Sequence, residues 1–177
     1  MLTSASDPKR TFAQAWDTIQ TDQPNSGPQV VDSNSLIGKA LERVWVFPAA
    51  PVHPAWVDEF TTPINTWEAF LEFSDGELIS LSPCEVNLSD DRYPSLGLAI
   101  EVTTSALMKM TYSGGQVVGA VQLEEADGFL PAPITSVEAS DPLGEDTTTQ
   151  YAFGGSGWRI IFRHIFPPMT LGICVER

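Results

Sequence analysis

Apolar and polar residues alternate along much of the chain after residue 36, and this two-residue period predicts β-strands. The segment 71–82, LEFSDGELISLS, shows the pattern most clearly, because alternation leads up to Asp75-Gly76 and an apolar run follows. An Asp-Gly pair accepts the positive φ angles of a tight turn. The segment therefore predicts an antiparallel hairpin in which Leu71 and Phe73 face the core.

Four other stretches have a readable pattern. Residues 40–47 end in Val-Trp-Val-Phe, which favours a strand, although their apolar residues also stand at helical spacing. Residues 96–102 and 114–123 predict two more strands. Residues 104–110 fit either a strand or a helical turn.

A clear helix is predicted only near the N-terminus, over residues 7–20. Asp7 can cap it, Pro8 fits the first helical position, and three large apolar side chains fall on one face. A polar connector rich in Pro, Gly and Ser follows. We therefore divide the chain into an N-terminal helix with its connector, 1–35, and a single β-rich domain, 36–177.

Short patterns recur in the same order in the two halves of that domain. The pairs are 41–44 with 134–137, 70–73 with 159–162, and 96–102 with 171–176. They suggest an internal duplication of 36–102 and 130–177, although strands of similar composition also resemble one another by chance. The predicted fold is α+β and mainly β: two related antiparallel β-meanders sharing one core, with a short N-terminal helix.

The charge is strongly negative and widely spread. The 177 residues include 23 Asp and Glu against 9 Lys and Arg, a formal net charge of −14. No Lys or Arg stands between Arg43 and Arg92 or between Lys109 and Arg159, whereas acids are frequent in both intervals. Such a field repels nucleic acid and anionic lipid. It favours a basic protein partner, with a general role in solubility as the alternative.

The cellular compartment is predicted from what the sequence lacks. No apolar leader opens the chain and no apolar run approaches the ~18 residues of a membrane span. Cys84 and Cys174 stand in strand-like runs, where a free cysteine is usually a small buried hydrophobe. We expect a cytoplasmic, reduced protein.

No pattern in the chain predicts a catalytic, cofactor or metal site. His164 stands ten residues before Cys174, so the two could meet across a hairpin, but an acidic chain offers little to activate a thiol. The run GGSG at 154–157 lacks the Lys of a phosphate loop and predicts a flexible turn. The acidic runs 89–93 and 141–146 lack the spacing of a calcium loop and predict solvated loops.

Tryptophans beside acids are the remaining candidates for function. Trp45 and Trp158 stand in strand-like runs and are predicted in the core, whereas Trp56 and Trp67 lie in or beside a Pro-rich loop with acidic neighbours. Aromatic residues within an acidic rim are typical of a protein-binding hot spot, although Trp67 could instead anchor the loop. The predicted partner-binding residues are Trp56, Asp58, Glu59, Trp67, Glu68, Asp90, Asp91, Asp141, Glu145 and Asp146.

A Leu-x-Gly-Lys motif at Leu36, Gly38 and Lys39 precedes the first predicted strand, and the segments 71–83 and 134–176 follow it. This arrangement, over 36–177, resembles small acidic bacterial immunity proteins that neutralise polymorphic or contact-dependent toxins. The resemblance implies a compact β-rich domain without catalytic motifs whose toxin is often a basic nuclease. It supplies no residue-level fingerprint from which a site could be transferred.

We therefore expect a non-enzymatic cytoplasmic protein that neutralises a basic protein partner, most concretely an immunity protein. No cofactor, metal, nucleic acid or membrane is expected to take part. One alternative is a barrel-like protein that binds a small molecule or carbohydrate through its tryptophans. The other is a hydrolase that uses His164 and an acid.

Overall fold

The computed structural model describes residues 29–47, 64–88, 93–111, 115–165 and 169–177. These residues form a mainly-β fold of thirteen strands, with three short 3₁₀ helices at Ser33–Leu36, Ser105–Met108 and Glu124–Ala126. The strands are β1 (Ala40–Val46), β2 (Ile64–Thr66), β3 (Ala69–Phe73), β4 (Leu78–Val86), β5 (Ser95–Val102), β6 (Lys109–Thr111), β7 (Val117–Gly119), β8 (Val121–Gln122), β9 (Ala132–Pro133), β10 (Ser136–Ser140), β11 (Gln150–Gly155), β12 (Trp158–Ile165) and β13 (Thr170–Glu176).

Two antiparallel sheets enclose the core. The first sheet has the order β5-β4-β3-β1-β8, with β9 also paired to β1, and the second has the order β10-β11-β12-β13-β2. Each sheet therefore contains a four-stranded meander, β1-β3-β4-β5 or β10-β11-β12-β13. Strand β2 falls between β1 and β3 in the chain but pairs with β13, so it ties the first half of the chain to the second sheet.

The predicted hairpin is confirmed. Leu71 pairs with Ile79 across β3 and β4, and Gly76 turns the chain with a φ of 86°. Leu71 is 0 % exposed and Phe73 is 2 % exposed, so both face the core as the alternation predicts. Each such side chain contributes about 1.5–3 kcal/mol by leaving water.

The core is built from the alternate, inward-facing residues of both sheets. Leu41 and Leu81 of the first sheet belong to the same buried cluster as Phe153 and Phe162 of the second. The rings of Phe153 and Phe162 meet edge to face at 5.8 Å, a favoured aromatic geometry. One continuous core therefore joins the two meanders.

The structure confirms some of the other predicted strands and corrects one. Residues 40–46 form a strand, and the ambiguous run 104–110 contains both a 3₁₀ helix and the start of β6. The single strand predicted over 114–123 is wrong, because β7 pairs with β6 whereas β8 pairs with β1. The chain must change sheets between Gly119 and Val121, which a periodic apolar pattern does not reveal.

The predicted N-terminal helix at 7–20 and most of its connector lie outside the described residues. Within the described residues there is no α-helix, so the α part of the predicted α+β class is not supported there. Trp158 is buried as predicted, at 5 % exposure. Trp45 is not a core residue: it pairs with Phe70 on the outer face of the first sheet and is half-buried.

Of the sequence patterns that recur in the two halves, the middle pair, 70–73 and 159–162, does not lie in strands at the same position of the two meanders. Residues 70–73 lie in β3, the second strand of its meander, whereas 159–162 lie in β12, the third strand of the other. The strand equivalent to β3 by position is β11. Residues 96–102 and 171–176 do occupy equivalent strands, the last of each meander.

Candidate functional site

The structure distributes the predicted partner-binding residues over two places. Trp67 and Glu68 lie on the short link between β2 and β3, and Asp141, Glu145 and Asp146 lie on the loop between β10 and β11. The other five fall outside the described residues: Trp56, Asp58, Glu59, Asp90 and Asp91.

The outer face of the first sheet carries an aromatic cluster beside the first of these places. Trp67 stacks on Phe47 with ring centroids 5.8 Å apart, and Phe47 meets Phe70 edge to face at 5.6 Å. Phe47 and Phe70 are buried, whereas Trp67 stays half-buried. Trp67 therefore anchors the β2–β3 link and still presents part of its indole at the surface.

Carboxylates surround these rings. Glu72 accepts a hydrogen bond from Trp45 Nε1 at 2.8 Å and lies 3.3 Å from Arg43, so the indole and the acid hold each other in place. Trp45 pairs with Phe70, Phe70 with Ser80, and Ser80 with Glu101 across neighbouring strands. Glu101 therefore lies in the same row as Trp45, on the same outer face. We call Trp45, Trp67, Glu68, Glu72 and Glu101 the aromatic–acidic face.

Glu68 is the electrostatically unusual member of this face. Burial raises the pKa of its carboxyl, a hydrogen bond with Ser80 lowers it, and the nearby Glu101 raises it, so that the net pKa is about 7. Glu68 therefore exchanges a proton near neutral pH, unlike an ordinary surface glutamate. A cation brought against it would favour the ionised form.

The loop between β10 and β11 is organised by Asp141. Its carboxylate accepts hydrogen bonds from Gly144 N–H at 3.0 Å, Asp146 N–H at 2.9 Å and the Thr149 hydroxyl at 3.0 Å. Desolvation raises the pKa of Asp141, but a hydrogen bond from the backbone of Glu145 together with these three bonds outweighs it, and the net pKa is lowered. Asp141 is thus committed to shaping the loop.

Glu145 fastens the same loop to the first sheet. Its Oε2 accepts a hydrogen bond from Leu96 N–H in β5 at 3.1 Å. Leu96 pairs in register with Glu85 of β4, so Glu85 and Glu145 lie at the same end of the molecule. We call Glu85, Asp141, Glu145 and Asp146 the acidic end. Sequence reasoning missed Glu85, because only strand register brings it beside a loop sixty residues away.

His164 has a structural position instead of a catalytic one. It is 0 % exposed, its Nδ1 lies 2.9 Å from Gly97 O, and its Nε2 accepts from Met169 N–H at 3.2 Å. Burial lowers its pKa, although the bond to Gly97 and the nearby Glu145 and Glu85 act in the opposite direction. Both ring nitrogens are therefore hydrogen-bonded, and Nε2 can accept its bond only in the neutral form.

The pairing of His164 with Cys174 is not formed. His164 points into the core from β12, whereas Cys174 pairs with Ile161 on the outer face of the second sheet. Cys84 and Cys174 are both free thiols, and both are half-buried where full burial was expected. Burial and Glu101 raise the pKa of the Cys84 thiol, which disfavours the reactive thiolate.

Two further sequence predictions concern metal and phosphate. In the described part of the chain, no three His, Cys, Asp or Glu side chains lie close enough to hold a metal ion. Residues 154–157 end β11 and turn at Gly157 into a strand, so no helix N-terminus follows them for a phosphate. The turn predicted over 154–157 is confined to Ser156 and Gly157, because Gly154 and Gly155 belong to β11.

Comparisons with known proteins give no relative: no family model, curated protein or solved structure matches this chain. None of the described residues belongs to a helix that is long and apolar enough to cross a membrane.

Proposed function

We propose that the protein is a non-enzymatic cytoplasmic binder that neutralises a basic protein partner, most concretely an immunity protein for a bacterial toxin. The observation that carries the proposal is the acidic end, three of whose carboxylates have no ion pair within the described part of the chain. Among the described residues no Lys or Arg forms an ion pair with Glu85, Glu145 or Asp146. The ion pairs of the described residues involve Lys39, Arg43 and Arg159 instead.

The two acidic surfaces support different steps of binding. Exposed carboxylates act at long range and accelerate the encounter with a basic surface, an effect that salt screens within ~8 Å at physiological ionic strength. Half-buried indoles such as Trp45 and Trp67 supply contact area at short range and typically slow dissociation. The aromatic–acidic face combines indoles with the carboxylates that a Lys or Arg side chain prefers.

The experiment compares two double variants of equal charge change. Glu85→Gln with Asp146→Asn removes two carboxylates of the acidic end, and Asn tolerates the positive φ of 59° at position 146. Glu124→Gln with Glu125→Gln removes two from the exposed 3₁₀ helix and is the control. The partner is first captured on immobilised protein from the native organism and identified, and association is then timed at low and physiological salt.

The acidic-end variant should associate several-fold more slowly than wild type at low salt, and the difference should shrink at physiological salt. The control should change the rate less. If both variants slowed association equally, the net charge of the protein and not the position of the acidic end would set the rate. Association that is insensitive to salt would refute the proposal. Truncating Trp67 to Ala should instead raise the dissociation rate.

A second candidate function rests on the half-buried tryptophans. Trp45 and Trp67 lie with Glu68 and Glu72 on one outer sheet face, and indole faces with hydrogen-bonding carboxyls also suit a carbohydrate. An uncharged ligand would bind with little dependence on salt. Titration of the indole fluorescence with oligosaccharides tests this candidate, and an unchanged spectrum at millimolar sugar counts against it.

We also propose that the two meanders arose by duplication of one unit, in which β3 corresponds to β11 and not to β12, the strand that the middle pair of sequence patterns suggests. The core pair Leu71–Ile79 then matches Phe153–Ile160, and both hairpins turn on a glycine of positive φ, Gly76 at 86° and Gly157 at 78°. When the first halves of related chains are aligned with their second halves, Gly76 should fall opposite Gly157. A best self-alignment in any other register would argue against duplication.

A further inference from the structure

We propose that the free edge of β10 is a docking strand, to which an extended, basic segment of the partner adds as a further strand of the second sheet. The inference rests on the proposed function and specifies how the partner engages. Edge strands with unpaired backbone groups are templates for added strands.

The free edge follows from the direction of the backbone groups of β10. Ser140 O accepts a hydrogen bond from Thr149 N–H, on the β11 side of the strand. Since successive residues of a strand point to opposite sides, the N–H and C=O groups of Val137 and Ala139 point away from β11. In the described part of the chain none of these four groups has a hydrogen-bond partner.

Other sheet edges in the described residues are short or covered. Along β5, Val31 N–H donates to Ile100 O and Leu98 N–H donates to Thr148 O. The edge strands β2, β6, β7, β8 and β9 are only two or three residues long. By contrast β10 offers five residues, four of them exposed, and no backbone hydrogen bond joins it to the neighbouring 3₁₀ helix at 33–36.

The negative charge around β10 favours a basic segment as the added strand. Glu138, at the centre of β10, pairs with Arg159 of β12 at 2.6 Å but keeps a side chain that is 64 % exposed, and the acidic end begins at Asp141, directly after the strand. A Lys or Arg opposite Glu138 would share this carboxylate with Arg159 in a cross-strand pair. A second copy of this chain is disfavoured, because the antiparallel register that overlaps all five residues places Glu138 opposite Glu138 of the other copy.

The test uses the whole ¹⁵N-labelled protein and a synthetic heptapeptide of alternating Lys and Val, with an alternating Glu and Val heptapeptide as its charge control. At millimolar Lys–Val peptide, hydrogen exchange of the Val137 and Ala139 amides should slow by at least about tenfold, as expected for newly hydrogen-bonded edge amides. The Glu–Val peptide should leave both amides unchanged.

Ala139→Pro removes one outward N–H and keeps the bonds to β11, as proline is tolerated at such edge positions. It should abolish the peptide effect, whereas Ala139→Val, which keeps the N–H, should preserve it. If the proline variant does not fold, a Lys–Val peptide N-methylated at alternate residues replaces it and should not bind.

Three results would overturn the inference: both amides already protected in dilute protein alone, protection that rises with protein concentration without peptide, or equal protection by the Glu–Val peptide. Its failure is distinguishable from that of the proposed function. A basic partner that binds Ala139→Pro as tightly as wild type, with salt-dependent association, refutes the docking strand and leaves the proposed function standing.

Discussion

The strongest single prediction concerns His164, which joins the two sheets inside the core. Its Nδ1–H donates to Gly97 O of β5, and its Nε2 accepts from Met169 N–H, just before β13. His164→Ala leaves the buried Gly97 carbonyl without this partner, at about 1–3 kcal/mol, whereas the N–H of the exposed Met169 can bond water instead. It also removes a fully buried ring, for which large-to-small changes cost about 2–5 kcal/mol.

Because the neighbours relax and these costs overlap, we expect a net loss of about 4–5 kcal/mol in the free energy of unfolding. That is a large part of the total stability of about 5–15 kcal/mol of an ordinary domain. At about 2–4 °C per kcal/mol for a chain of this length, the midpoint of thermal unfolding should fall by about 10–15 °C. His164→Gln, whose amide can donate and accept, should lose about half as much. Cys174→Ser, on the outer face of the same hairpin, should lose under about 1 kcal/mol.

The pH dependence gives an independent check. Because burial lowers the folded-state pKa of His164, the folded protein binds fewer protons than the unfolded chain between that lowered pKa and about 6.5. The contribution of His164 is therefore fully present above about pH 6.5 and is lost as the pH falls through that window. Urea unfolding of wild type and His164→Gln at pH 7.5 and pH 5 measures the difference. A His164→Ala loss below about 1 kcal/mol, or identical acid sensitivity of wild type and His164→Gln, would refute the assignment.

Three further predictions concern stability. The folded-state pKa of Glu68 is raised to about 7, so ionisation of this carboxyl opposes folding at higher pH. Glu68→Gln should therefore stabilise the protein by about 2 kcal/mol at pH 8 but little at pH 4, as measured by urea unfolding. A Cβ on Gly155 would overlap the indole of Trp158, so Gly155→Ala should cost about 1–3 kcal/mol by thermal unfolding, whereas Ser156→Ala in the adjacent exposed turn should be nearly neutral. Phe73→Ala should cost about 3–5 kcal/mol, and a loss below about 1 kcal/mol would contradict its placement in the core.

Local features of the fold could be predicted from the sequence, because their causes are local. The hairpin at 71–82 depends on alternation and on a glycine that accepts positive φ, and both are visible in the letters. The strand at 40–46 was also predictable from its β-branched and aromatic ending. In this hairpin the residues that face the core also follow from the two-residue period, whereas in β1 a register shift between Leu41 and Arg43 interrupts that period.

Features that depend on pairing between distant strands could not be predicted. Nothing near Trp67 reveals that it stacks on Phe47, twenty residues earlier, or that β2 leaves its own meander for the other sheet. The pKa of Glu68 depends on burial and on Glu101, two strands away. The acidic loop 141–146 was predicted as solvated, but the use of Asp141 to close it required its hydrogen bonds.

The loop of the acidic end is fixed by hydrogen bonds to both sheets, unlike an ordinary solvated loop, and this order affects the affinity for a partner. Glu145 ties the loop to Leu96 of β5, while Thr149 O accepts a hydrogen bond from His164 N–H in β12, so both sheets fix it. A surface that is already ordered loses little conformational entropy when a partner binds, and that saving appears directly in affinity. Breaking the Asp141 hydrogen bonds with Asp141→Ala should therefore weaken binding mainly through faster dissociation, even though Asp141 itself need not touch the partner. Removal of Glu85, which has no hydrogen bond in the loop, should instead act on association. If both variants changed only the association rate, the acidic end would act through its charge alone, and its order would have no part in recognition.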